Sequence, residues 1–326
     1  MLTISEEQSR QIARLLGLHG PMIVAQVKAY NHVYRLVSGS DIFYLKTYTK
    51  DWYGDDLAAT GACVEHEASA WAILAANGLA ATEVVLACRD YENPLGRPFL
   101  ITRQLRGAPL TEQIRQPSGA AAMLRAAGAY LSRVHAITFP FPGYLIPGGP
   151  MAPLDQHAWQ HRCWSARQRQ RDAQTMLLSE EANLSPVLVQ ALESEFATIE
   201  QRMGSAYIPP RYTLGDCHAS HFFVFNDVDG WHVAGFVDAE VASAGDRGED
   251  LVKFAIEMYD ISAYARWWEP FFDGYGGTPD FDLFRLRLLG ATGPEFLDSW
   301  PGTREQILTH ILNAQSWEDL FLKRAG

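Results

Sequence analysis

Cysteine is scarce in this 326-residue chain: Cys63, Cys88, Cys163 and Cys217 are the four, and no two form a CxxC pair. That spacing argues against a zinc knuckle and against a redox dithiol. Long apolar runs are missing as well. The most apolar windows, such as residues 120–131, are short and carry Arg125. None approaches the roughly 20 apolar residues that a membrane-spanning helix needs. Residues 1–21 contain Glu6, Glu7, Arg10 and Arg14, so they do not read as a signal peptide. A soluble, cytoplasmic protein with no membrane partner is expected. Positive charge is also in deficit, with 27 Lys and Arg against 38 Asp and Glu and a net charge of -11. Grasping a nucleic-acid backbone rests on clustered Lys and Arg, so no nucleic-acid partner is expected.

What is present is ordinary globular material: 48% hydrophobic, 12% aromatic and 20% charged residues, in a chain long enough for two lobes with separate cores. The charge is unevenly spread. Residues 1–179 hold 17 basic and 14 acidic side chains, whereas residues 180–300 hold 7 basic and 21 acidic. That division suits a negative nucleotide on one side and a positive small molecule on the other. Acidic surface that merely keeps the protein soluble explains it equally well.

Periodicity divides the chain in the same way. Residues 6–16 predict a short amphipathic helix, and 23–28, 33–37 and 42–48 predict strands, the last two joined by the turn Ser38-Gly39-Ser40-Asp41. Val64, Ala68, Trp71, Ala72 and Ala75 recur at helical spacing, and Asn77-Gly78 stops the helix. Residues 84–88 and 98–102 again predict strands. After Gly107 the pattern is mainly helical, clearest over 120–135, with further helices expected at 156–178, 186–203, 250–267, 280–289 and 303–322. Residues 139–153 hold five prolines and three glycines and predict an irregular surface connection. The fold class expected is α+β: a small antiparallel sheet lobe with one main helix, residues 1–105, then a larger, mainly helical lobe, residues 106–326.

Four features carry chemistry. Lys46 sits in the apolar strand Phe43-Tyr44-Leu45-Lys46-Thr47-Tyr48 and shares a face with Tyr44. A buried lysine needs a partner, while an edge-strand lysine keeps its head in water. Glu65 and Glu67, read as the first turns of the next helix, compete as that partner. They also suit a helix N-terminus facing solvent. The third and strongest feature is a pair of acidic centres flanking a predicted hairpin: Gly215-Asp216-Cys217-His218-Ala219-Ser220-His221 before it, and Val237-Asp238-Ala239-Glu240 after it. A hairpin brings its ends together, and two converging carboxylates repel unless a cation or proton intervenes. A hard divalent metal answers that. Finally, Asp246 and Asp250 precede a helix that either can cap, and Asp250 is placed to fix the loop carrying Asp238.

These segments resemble the aminoglycoside phosphotransferase-like enzymes, which have a protein-kinase-like fold and are related to choline and fructosamine kinases. The catalytic segment of that family reads His-Gly-Asp, four residues, then Asn; here Leu214-Gly215-Asp216 is followed, after four intervening residues, by His221. Its metal segment, Ile-Asp-Trp-Glu with Gly-Asp-Pro and Asp-Leu beyond, is matched by residues 237–240, Gly245-Asp246-Arg247 and Asp250-Leu251. Residues 30–34, Leu45-Lys46 and Leu131-Ser132-Arg133-Val134-His135 also resemble family segments, so the likeness spans about residues 20–275. The resemblance implies a bilobal kinase-like fold and transfer of the γ-phosphate of ATP or GTP to a hydroxyl. It implies Asp216 as catalytic base, and Lys46, Glu67, Asn31 and the backbone near Gln104 and Leu105 as nucleotide contacts. Asp238 and His221 would be ligands of Mg2+, or of Mn2+. His221 in place of Asn is the main departure, since imidazole is a softer ligand than an amide oxygen.

Two other readings compete. One keeps the fold as a catalytically weak or inactive nucleotide- or small-molecule-binding protein. The other is a metal-dependent hydrolase using Asp216, His218, His221 and Asp238. For a phosphotransferase, the acidic second part favours a cationic acceptor such as an aminoglycoside or amino alcohol. Trp267, Trp268, Phe271, Phe272 and Tyr275 are candidates to line its site, and Glu257, Asp260, Glu269 and Asp273 to pair with its amines. Core packing and solvated faces are the alternatives for these residues.

Overall fold

The structure, a computed structural model, describes residues 3–28, 32–48, 57–115, 118–146, 149–150, 184–203, 210–261, 266–291 and 302–321. Helix α1 (Glu6–Leu15) opens the chain, with Ser5 and Gln8 capping it reciprocally, an arrangement worth about 1 kcal/mol. Its Ile12 is buried against Tyr34, Leu36, Phe43, Leu45, Phe99 and Ile101. These side chains belong to an antiparallel five-stranded sheet of order β1-β2-β3-β5-β4: β1 (Ile23–Lys28), β2 (Val33–Ser38), β3 (Asp41–Thr47), β4 (Val84–Cys88) and β5 (Phe99–Arg103). Alternation sends every second side chain to the opposite face. Lys46 and Tyr44 therefore project away from α1, and because β3 is the middle strand, the edge-strand reading of Lys46 fails.

The helix between β3 and β4, α2, runs Leu57–Ala76, seven residues longer at its start than expected. The added turns, Leu57-Ala58-Ala59-Thr60-Gly61-Ala62-Cys63, have no apolar periodicity to reveal them. Glu65 and Glu67 consequently lie mid-helix, and the helix-terminus explanation for them is wrong.

Beyond β5 come β6 (Ala108–Pro109), α3 (Leu110–Gln113) and α4 (Ala120–Val134). The apolar stripe of α4, Met123, Leu124, Ala127, Leu131 and Val134, is buried as its spacing predicts. This helix meets α7 (Trp268–Tyr275) backbone to backbone. A Cβ on Gly128 would lie 2.0 Å from the Phe271 carbonyl oxygen, and one on Gly274 would lie 2.0 Å from that of Arg125. Any larger residue at either position pushes the helices apart.

Residues 139–153 are not simply irregular. They contain β7 (Gly143–Ile146) and β8 (Gly149–Pro150), in a small sheet of order β8-β7-β12-β9 with β9 (Arg211–Thr213) and β12 (Ser243–Gly245). Tyr144 pairs with Ser243, a partner too distant for local Pro and Gly content to announce. Helix α5 (Pro186–Met203) matches expectation; the helix expected at 156–178 lies outside the described residues. The hairpin is present as β10 (Phe222–Asp227) and β11 (Gly230–Phe236), with β6 added beside β10. Helices α6 (Arg247–Ile261), α7, α8 (Phe281–Ala291), α9 (Arg304–Asn313) and α10 (Trp317–Phe321) complete the helical part; the single helix expected at 303–322 is two. No described helix is long and apolar enough to cross a membrane.

The aromatic residues proposed to line an acceptor site belong to this core. Trp267, Trp268, Phe271 and Phe272 are buried and stack with Phe254, Phe284, Trp317 and Phe321. Tyr275 packs edge-on against His135.

Candidate active site

The sheet and the hairpin are tied together at the end of β11. Trp71 Nε1 and Thr82 Oγ1 both donate to the Phe236 carbonyl, at 3.2 and 2.8 Å, and the Val237 amide donates to the His221 carbonyl at 3.0 Å. The next residue, Asp238, has a left-handed backbone with φ of 66°. For a side chain other than glycine this is an uncommon conformation, held only where the surroundings fix it.

Lys46 is the meeting point of the two parts. Its ammonium lies 3.0 Å from Glu67 Oε2, 2.8 Å from Asp238 Oδ1 and 2.8 Å from Glu240 Oε2, with the Tyr48 ring 5.3 Å away. The Tyr48 hydroxyl donates a hydrogen bond to the same Glu67 oxygen. Burial alone would push the lysine pKa down, but the three carboxylates outweigh it and hold the ammonium firmly charged. Glu67, whose side chain is 1% exposed, is pushed upward by burial against the pull of Lys46. Asp238 is also raised by burial, but Lys46 lowers it further and the net shift is downward. Glu65 instead pairs with Arg89 at 3.0 Å, so the geometry selects Glu67 as the partner of Lys46.

Asp216 follows Gly215, whose φ of +73° and close approach to the Val241 carbonyl, 2.2 Å from a hypothetical Cβ, admit glycine alone. Its carboxylate accepts from His218 Nε2 at 3.0 Å and Lys253 Nζ at 3.2 Å, both on Oδ1. Burial pushes Asp216 up, yet the His218 bond and the Lys253 charge hold it well below the usual carboxylate range. His218 is pushed down by burial and, more strongly, up by Asp216 and Glu257, so its pKa is raised. For His221 burial dominates and its pKa is lowered. Its Nδ1 lies 3.0 Å from the Asp216 carbonyl oxygen, which can only accept. The proton is therefore on Nδ1, and Nε2 keeps a free lone pair.

The loop from Leu214 to His221 is gripped by one stripe of α6. Fully buried Asp250 accepts the amides of Leu214 and Gly215 at 2.7 and 2.9 Å and bonds His135 Nε2 at 3.0 Å. Glu257 accepts the Ser220 amide at 3.1 Å. Asp250 thus secures the Asp216 loop and not, as expected, the Asp238 loop. Asp246 caps α6 through the Gly248 amide at 2.9 Å and pairs with Arg287 at 2.6 Å.

The remaining expected contacts divide. Asn31 lies outside the described residues. The Gln104 amide already bonds the Ile42 carbonyl at 3.0 Å. Gln104 and Leu105 line a cleft of about 500 Å3 with Ala80, Ala81, Phe225 and Val233, which none of Lys46, Asp216 and Asp238 borders. Of the acids proposed to hold amines, Asp273 pairs with Arg125 at 2.6 Å, Glu269 with Arg266 at 2.9 Å, and Glu257 is engaged as described. The side chain of Asp260 lies outside the description.

Residues 25–289 match the model of the phosphotransferase enzyme family. The chain belongs to that family. No curated protein matches the sequence significantly. Solved structures of similar fold include the GDP complex of aminoglycoside 2'-phosphotransferase-IIIa, with a TM-score of 0.58 and 15% identity over 96% of this chain and 97% of that one. The gentamicin complex of APH(2")-IIa gives 0.57 and 13%, covering 99% and 100%, and its streptomycin–ATP ternary complex gives 0.55 and 12%, covering 99% and 100%. At such identities the likeness shows the fold, which is protein-kinase-like: an antiparallel sheet first, mainly helices after it.

A divalent cation, which the resemblance implies, needs hard oxygen donors. Asp238 and Glu240 bring carboxylate oxygens together at the Lys46 ammonium, and His221 keeps a lone pair on Nε2. Among the described residues no three His, Cys, Asp or Glu side chains are already gathered as a metal cage. Mg2+ is commonly held by one or two carboxylates together with substrate phosphates, and Asp238 and Glu240 are two such carboxylates. The pairing of Asp238 with Lys46, and of Asp216 with Lys253 and His218, disfavours the hydrolase reading, in which the four residues share one metal. Lys253 is a partner of Asp216 that the sequence did not reveal. Only its position three residues beyond Asp250, on the same helical stripe, hints at the role.

Proposed function

We propose that the protein transfers the γ-phosphoryl group of ATP or GTP to a hydroxyl of a small molecule, in a cleft between residues 1–105 and 106–326. The observation that carries this reading is the Lys46 ammonium bridging Glu67 of α2 and Asp238 beyond β11. It joins the two parts of the chain at one cation, and family membership supports reading that cation as a phosphate contact. Glu67, braced by Tyr48, orients Lys46 toward the α- and β-phosphates. Asn31 and the backbone near Gln104 and Leu105 are the further nucleotide contacts of this reading.

Asp216 orients the acceptor hydroxyl and takes its proton as the oxygen bonds to the γ-phosphorus. The bond from that phosphorus to the bridging oxygen breaks, and the nucleoside diphosphate leaves. Positioning and electrostatics dominate such a reaction, so an Asp216 held well below the usual range still serves. Asp238 and His221, with Glu240 beside them, would hold Mg2+, which supplies neutralisation of phosphate charge. The acidic balance of residues 180–300 and the gentamicin and streptomycin bound by structural neighbours support a hydroxylated, cationic acceptor. The pairing of Glu257, Glu269 and Asp273 moves recognition of its amines to other residues.

Consumption of ATP and GTP by the full chain, with Mg2+ or Mn2+ and a panel of aminoglycosides, amino alcohols and neutral sugars, tests the proposal. Turnover that requires a hydroxylated acceptor supports it. Nucleotide binding without turnover under any of these conditions moves the protein to the binding-only reading, which His221 in place of an amide side chain favours.

A further inference from the structure

Asp216 has two carboxylate oxygens in different circumstances. Oδ1 receives both the Lys253 ammonium, at 3.2 Å, and His218 Nε2, at 3.0 Å. Oδ2 has His221 Nδ1 at 3.8 Å, beyond hydrogen-bond reach, and the proton on that nitrogen is already given to the Asp216 carbonyl. Among the described residues, no hydrogen bond reaches Oδ2.

We propose that Lys253 and His218 form a two-point clamp that fixes the Asp216 carboxylate by one oxygen, so that the other is presented to the acceptor hydroxyl. The proposal rests on the phosphotransferase reading and assigns two positioning residues which that reading does not require. A carboxylate turning about its terminal bond exchanges its oxygens, and that torsion is soft. Two donors from different directions on one oxygen remove this freedom. A general base acts only when its lone pair lies within hydrogen-bond distance of the proton it takes, and a displacement near 1 Å can cost about 10²-fold in rate.

Both arms of the clamp are themselves braced. Lys253 belongs to α6 and lies on the stripe whose Asp250 bonds the Leu214 and Gly215 amides and whose Glu257 bonds the Ser220 amide. The same Glu257 stands 3.7 Å from His218 Nδ1, too far for a hydrogen bond but near enough to favour a charged imidazole. Helix α6 therefore holds both the loop, through its amides, and the Asp216 carboxylate, through Lys253. Lys253 and His218 remain about one-quarter exposed, so they border the open side of Asp216 without being sealed in the core. A lysine needed only to neutralise a buried charge would have no reason to share its oxygen with a second cation while the other oxygen stays free.

The measured reaction is nucleoside triphosphate consumption by the full chain, with the fastest acceptor of the panel or, if none is accepted, with water. Lys253→Met is expected to lower kcat by about 10²-fold while calorimetric affinity for Mg-nucleotide stays within about twofold. Lys253→Arg, which keeps a cation within reach, should recover most of that loss, and His218→Gln should lower kcat less than Lys253→Met. Thermal unfolding of each variant separates lost positioning from lost fold, and if Lys253→Met does not fold, Lys253→Gln replaces it. A Lys253→Met enzyme with wild-type kcat overturns the clamp alone. So does a loss of kcat that Lys253→Arg leaves unrestored while both variants melt like the wild type. A wild-type protein that binds nucleotide yet turns over nothing, water included, sinks the phosphotransferase reading and the clamp with it.

Discussion

Lys46 and Asp238 are 192 positions apart in the chain and 2.8 Å apart in space. Their contact is reinforced from both sides. Glu67 holds the lysine from α2, and Trp71, one helical turn further on, holds the Phe236 carbonyl just before Asp238. Two side chains of a single helix thus brace both ends of this contact, with Thr82 adding a second bond to the Phe236 carbonyl.

Replacing Lys46 by Met should destabilise the protein by about 3–5 kcal/mol, because Glu67 is left buried without its cation and faces two further carboxylates. Adding Glu67→Gln should recover much of that loss, since a neutral amide needs no counter-charge. Urea unfolding of the single and double variants checks this, and additive losses would mean the two residues do not act as a pair. Nucleotide affinity should fall in both variants.

Asp216→Asn and Asp238→Asn should fail differently. Asp216→Asn should retain Mg-nucleotide affinity within about twofold and lose transfer by about 10²–10⁴-fold, the range for a removed general base. Asp238→Asn should lose metal-dependent nucleotide binding as well. Calorimetric titration with Mg-nucleotide distinguishes them, and equal losses of affinity would remove the proposed division of roles.

His221 offers a nitrogen lone pair where an amide oxygen is usual for the family, so Mn2+ should support relatively more activity than Mg2+ in the wild-type protein. His221→Asn should shift that ratio toward Mg2+. Initial rates with each metal for the two proteins provide the comparison. Superimposable ratios would show that the imidazole does not bind the ion.

The Asp216–His218 pair should shape stability across pH. The folded pKa of His218 is raised, so its contribution is complete below about pH 6.5 and fades as pH rises through the folded value. The folded pKa of Asp216 is depressed, so its contribution is present above about pH 3.9 and fades as pH falls through the folded value. His218→Gln should therefore lower Tm most near about pH 5.5 and least near about pH 9. A Tm difference that does not vary between those values would show that the pair does not titrate as a unit.

The groups that can do chemistry were legible in the primary structure. Asp216 and Asp238 stand where apolar strands end abruptly, Lys46 interrupts an alternating strand, and the stripe of α4 is written at helical spacing. Each is a local signal, because strand alternation and helical periodicity depend on neighbours only a few residues away. Which partner each group meets was not legible. Periodicity tells that a face is buried but not what lies opposite, so Glu65 and Glu67 were equivalent until packing turned one toward Lys46 and the other toward Arg89. For the same reason Asp250 was assigned to the wrong loop and Lys253, 37 positions from Asp216, went unseen. The aromatic residues at 267–275 stayed open between core and acceptor site because a buried ring and a binding ring have the same sequence. Only the packing of α2 on the sheet, of α6 on the Asp216 loop and of α7 on α4, relations among distant segments, decided these points.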